Sequence, residues 1–75
     1  MICEPQTAIS ILLSSTPPDM QERIRAAHVK YPNDWFRAPT FRLWRMAMRR
    51  LLLSRGLETG DRAFILLVET ALNLR

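Results

Sequence analysis

Apolar positions along the chain recur every three to four residues, and no stretch shows the sustained two-residue alternation of a half-buried strand. Four helices are predicted on this basis, at about 5–15, 17–30, 39–55 and 61–74. In the first, Ala8, Ile9, Ile11, Leu12 and Leu13 form a nearly continuous apolar surface. Pro5 suits a first helical position, and Thr16-Pro17-Pro18 stops the element. The second helix is expected to use Thr16 as its N-cap, with Asp19 near the positive helix end. Its apolar stripe is Met20, Ile24, Ala27 and Tyr31. Pro32 ends it, and the segment Asn33 to Ala38 reads as an ordered loop rich in aromatics.

The third helix is expected to close at Gly56. Its apolar face is read as Phe41, Trp44, Met48 and Leu51, flanked by Ala47 and Leu52. Arg42, Arg45 and Arg49 form a row on the other side, with Arg50 beside them. The turn Leu57 to Gly60 leads into the fourth helix, capped by Thr59 or Gly60. There Phe64, Leu67, Val68 and Ala71 make one stripe, while Ile65, Leu66 and Leu72 spread around the cylinder. A helix apolar on so many sides is buried on most of them.

The expected fold is therefore all-α, a compact bundle of three or four helices forming one domain over residues 1–75. At 75 residues the core is small, because so short a chain buries only a little over half of its extended surface. Helix four exceeds what three short neighbours can cover. A homodimer through Phe64, Leu67, Val68 and Ala71 would complete the bundle.

Composition adds exclusions. The chain is 48% hydrophobic with a net charge of +4, a balance that permits folding. Cys3 is the single cysteine, so no intramolecular disulfide and no Cys-based zinc site can form. A lone thiol fits a reducing cytoplasm. The apolar runs Ala8 to Leu13 and Ala63 to Val68 fall far short of the roughly 20 residues of a spanning helix. Glu4, with no cation before the first apolar run, does not resemble a signal peptide. Integral membrane association is not expected.

Charge changes the picture more. Nine of the eleven basic residues lie between Arg23 and Arg55, against the single acid Asp34, a local balance of +8. No acid occurs between Trp35 and Leu57, and ten of the eleven cations are arginine. Arginine suits bidentate contacts to phosphate or carboxylate, although a GC-rich genome that encodes Arg in place of Lys, or the plain need for a solvated helix face, yields the same composition.

Catalytic parts are few. His28 is the only histidine and lies at the edge of the helix-two stripe, where a structural role is expected. The seven acids are scattered without ligand spacing, no serine has a base or a sharp turn around it, and two glycines make no phosphate loop. The chain reads as a non-enzyme without cofactor or metal.

What remains is binding. Arg37, Arg42, Arg45, Arg49 and Arg50 form a candidate polyanion footprint, with Trp35 able to stack on an unpaired base if exposed. The first expectation is thus a cytoplasmic nucleic-acid-binding regulatory or accessory protein. A standard helix-turn-helix is disfavoured: Tyr31 to Ala38 is too long for its turn, and Phe64 to Val68 belong in a core rather than a groove. The alternative is a small adaptor or inhibitor, of the kind phages and plasmids encode, docking on an acidic protein surface. Tyr31, Trp35, Phe36, Phe41 and Trp44, interleaved with arginine, are residue types of protein–protein hot spots. A peripheral membrane role is weaker, since Met46 and Leu53 are read as the only large apolar residues among the arginines.

Overall fold

The computed structural model describes residues 5–74, and Cys3 and Glu4 lie outside them. The four expected helices are present as α1 (Pro5–Ser15), α2 (Pro18–Lys30), α3 (Arg42–Ser54) and α4 (Asp61–Ala71), with no strand among the described residues. Two 3₁₀ turns, Trp35–Arg37 and Pro39–Phe41, carry the chain from α2 into α3. Pro39 explains the later start of α3: its ring fixes the entry, and the chain relaxes from the tighter 3₁₀ turn into an α-helix only after Phe41.

Thr16 does not cap α2. Its hydroxyl is buried and accepts a hydrogen bond from Trp44 Nε1 at 3.3 Å, while its carbonyl accepts from Gln21 Nε2 at 2.9 Å. The residue at the cap position is Pro17, which makes no side-chain cap. Thr16 thus ties the α1–α2 corner to α3 instead of closing the helix locally.

Both later helices end in the same way. After α3, Gly56 takes φ +75°, its N–H bonds Leu53 O at 2.9 Å, and Leu57 N–H bonds Leu52 O at 2.8 Å. After α4, Asn73 takes φ +56°, with bonds from Asn73 N–H to Thr70 O and from Leu74 N–H to Glu69 O. These paired bonds satisfy carbonyls that a helix end otherwise leaves open. The first closure is at the expected glycine. The second shortens the expected fourth helix by three residues, because asparagine tolerates the left-handed conformation and reverses the chain at 73.

One core joins all four helices. It comprises Ala8 and Leu12 of α1, Ile24 of α2, Trp44 and Leu52 of α3, and Phe64 and Val68 of α4, together with Trp35, Phe41, Leu57 and Leu72. α1 and α4 pack against each other most extensively. Trp35 meets Phe41 edge-on at 6.0 Å, and Trp44 lies 5.6 Å from Phe64. The stripe of α2 ends at the buried His28, not at Tyr31, which is exposed beneath the Lys30 ammonium. In α3 the buried side is rotated from expectation: Leu52 is fully buried, Leu51 half-buried, and Ala47 exposed.

Candidate functional site

α3 exposes one long face built from residues that the sequence makes conspicuous. With Trp44 and Leu52 turned inward, the helical period turns Leu43, Met46, Arg50 and Leu53 outward, with Arg42 and Arg49 along one flank. Arg42, Arg45, Met46, Arg49 and Arg50 line a single shallow hollow, closed on one side by Asp61 at the start of α4. A second hollow joins Arg42 and Arg45 to Arg37 and Pro39, and a third joins Arg49, Arg50 and Leu53 to Glu58 and Thr59. The structure therefore brings all five predicted arginines onto one continuous surface.

These arginines divide into two kinds. Arg45 is an anchor, its side chain only 22% exposed. Its Nη2 donates to Asp61 Oδ1 at 2.6 Å and its Nη1 to the Phe36 carbonyl at 3.1 Å, with the guanidinium 5.8 Å from the Phe36 ring centre. Its Nε is buried with no partner among the described residues. Arg49 completes the clamp, donating to Asp61 Oδ1 at 3.4 Å and to the Thr59 carbonyl at 2.9 Å. Arg42 and Arg50, by contrast, are exposed and make no ion pair or side-chain hydrogen bond among the described residues. Arg37 is exposed, and its one ion pair among the described residues is with Asp34, at 3.6 Å.

Three large apolar side chains share this face. Leu43 is 76% exposed, Leu53 59% and Met46 53%. Met46 and Leu53 stand out among the arginines in the sequence, whereas Leu43 does not, although its spacing from Met46 places the two on one edge. Asp61 does not stand out either. It stands sixteen positions from Arg45, and only the packing of α3 against α4 brings the two together.

Trp35 does not belong to the site. It is 1% exposed, its ring packs against Phe36 and Phe41, and its Nε1 donates to Glu69 Oε2 at 3.0 Å. No base can stack on it. The loop position misleads because the 3₁₀ turn folds the indole under the chain and hands its N–H to α4.

Two of the four residues of the expected dimer stripe lie inside the chain. Phe64 and Val68 are buried in the core of the single chain, and Leu67 and Ala71 are half-buried beside them. On the outward side of α4, Ala63, Leu66 and Leu67 border a groove of about 440 Å³ with Ile9 of α1.

No three His, Cys, Asp or Glu side chains among the described residues converge as a metal site would require. No helix among them is long and apolar enough to cross a membrane. Neither a family model, nor a curated protein, nor a solved structure matches this chain.

Proposed function

We propose that this chain is a non-catalytic docking module whose α3 face binds an acidic surface of another protein. The observation that carries the reading is the placement of Leu43, Met46 and Leu53 in solvent beside Arg42 and Arg50, which have no ion-pair partner among the described residues. Protein interfaces have an apolar centre, enriched in methionine and arginine, inside a polar rim. A phosphate backbone offers nothing to cover three large apolar side chains. Moreover, two of the three arginines in the predicted phosphate-binding row are occupied by Asp61 and by backbone carbonyls. Arg42 and Arg50 retain their charge-assisted donors for carboxylates on the partner.

The test pairs affinity capture with direct titration. The parent chain and a Leu43→Ser/Leu53→Ser variant are used as baits, and any protein retained by the parent alone is then titrated against both. Tight binding by the parent, weakened about tenfold or more in the variant at equal thermal stability, supports the reading. Micromolar binding to random duplex or single-stranded DNA, with a steep salt dependence and no response to Leu43→Ser, replaces it with nucleic-acid recognition.

A further inference from the structure

We infer that the element recognised by α3 is an amphipathic α-helix with acidic flanks, lying lengthwise along Leu43, Met46, Arg50 and Leu53. The inference rests on the docking reading above and specifies the partner's form. Along α3 these positions are separated by three, four and three residues. That alternation is the seam by which one helix meets another, because it keeps a single edge facing the partner over the full length. α3 has thirteen residues, about 20 Å of rise, so roughly three turns of a partner can lie against it. The face is a ridge flanked by shallow hollows, one beside Met46 and one beside Leu53. Side chains of a facing helix fit such a surface as knobs into holes.

Charge selects among possible helices. α3 carries Arg42, Arg45, Arg49 and Arg50 and no acid of its own. A second copy of this chain on the same face would set one arginine row beside another, so self-pairing through α3 is opposed. A partner with Glu or Asp flanking its apolar seam meets Arg42 and Arg50 with opposite charge. Arg50 lies within the seam itself. Its aliphatic stem can cover the partner's leucines while the guanidinium reaches a flanking carboxylate. A lipid surface fits less well, because the apolar ridge is narrow and interrupted by Arg50, and both tryptophans are buried inside.

The experiment uses the whole chain and a fluorescein-labelled acidic peptide of about three heptads, with Leu at the seam positions and Glu at the flanking ones. Its own carboxylates oppose its self-pairing. Three other probes accompany it: a scrambled peptide of the same composition, polyglutamate, and vesicles rich in phosphatidylglycerol. The heptad peptide is expected to bind at least about tenfold tighter than the scrambled one, and Leu43→Ser and Leu53→Ser should each weaken it by about tenfold. Arg50→Glu should weaken binding to this peptide by at least about tenfold, because it sets a carboxylate against the peptide's own. The circular-dichroism melt of every variant should match the parent's, since all three residues are exposed. Equal binding of scrambled peptide or polyglutamate would overturn the helix inference while leaving an acid-seeking surface intact. Binding to none of the acidic probes would overturn both. A preference for the vesicles would transfer the ridge to a lipid surface and sink the inference.

Discussion

Replacing Arg45 with alanine should destabilise the fold by about 2 kcal/mol, although the residue belongs to the same arginine row as Arg42, whose replacement should cost almost nothing. The figure follows from what Arg45 touches. Its bond to the Phe36 carbonyl, 3.1 Å and partly buried, contributes about 1 kcal/mol. The 2.6 Å pair with Asp61 adds about 0.5–1 kcal/mol, held low because the aspartate is more than half exposed and screened. Contact of the guanidinium with the Phe36 ring adds about 0.5–1 kcal/mol. Removing the buried, unpartnered Nε–H offsets part of this total, which keeps the net near 2 kcal/mol. A chain of this length has a total stability of about 4–11 kcal/mol. The melting temperature should therefore fall by about 8–16 °C. Arg42→Ala should stay within about 0.5 kcal/mol of the parent. Arg45→Lys should recover only the attraction to Asp61, because an ammonium cannot bond Phe36 and Asp61 with a planar fork. Thermal and urea melts of the four proteins in one low-salt buffer decide the matter. If Arg45→Ala melts with the parent, or Arg42→Ala falls as far as Arg45→Ala, the division into anchoring and unpaired arginines is wrong.

Three further substitutions probe the framework behind the face. Trp35→Phe keeps a ring in the core but loses the N–H bond to Glu69, so urea unfolding should show a loss of about 2 kcal/mol, whereas Glu69→Gln, whose amide oxygen can still accept, should lose less than about 1 kcal/mol. Gly56→Ala should cost about 1–2 kcal/mol from the left-handed backbone alone, since an added Cβ would meet nothing within 4 Å; a much larger loss in a thermal melt would mean that the site is crowded after all. Phe64→Ala empties a fully buried position at the centre of the bundle and should cost about 3–5 kcal/mol, enough to leave a substantial unfolded fraction by far-ultraviolet circular dichroism. A folded, oligomeric Phe64→Ala protein would contradict the assignment of this residue to the core of one chain.

Local signals in the sequence were sufficient wherever the physics is local. The helices follow from apolar spacing and from prolines at 5, 17, 18, 32 and 39, and Gly56 marks the end of α3 because few other residues take a positive φ at so little cost. Asn73 obeys the same rule, but asparagine is common elsewhere and its signal is weak. The arginine row was readable from spacing, and so was its location on one helix. Its internal division was not. Which arginines remain unpaired depends on Asp61, twelve positions from Arg49 and sixteen from Arg45, and thus on how α4 crosses α3. Trp35 and Thr16 went astray for a related reason. Each bears a polar atom whose partner lies far along the chain, at Glu69 and Trp44, and no short window contains both ends of such a bond. The apolar side of α4 was visible, but a helix apolar most of the way round does not announce which of its sides the other three will cover.

The Asp61 clamp has a kinetic consequence for anything that docks on α3. One carboxylate removes part of the positive charge that would draw in an acidic partner, and it also holds the helix at a fixed angle before the partner arrives. Attraction at a distance governs the rate of encounter, whereas a pre-set shape governs how long the complex lasts. Asp61→Ala, which removes both the charge and the acceptor of the Arg45 and Arg49 bonds, therefore pulls the two rates the same way for opposite reasons: arrivals quicken as the field strengthens, and departures quicken as α3 loses its brace. Affinity measured at equilibrium would hide both changes, so a variant with an ordinary dissociation constant could still exchange partners much faster than the parent.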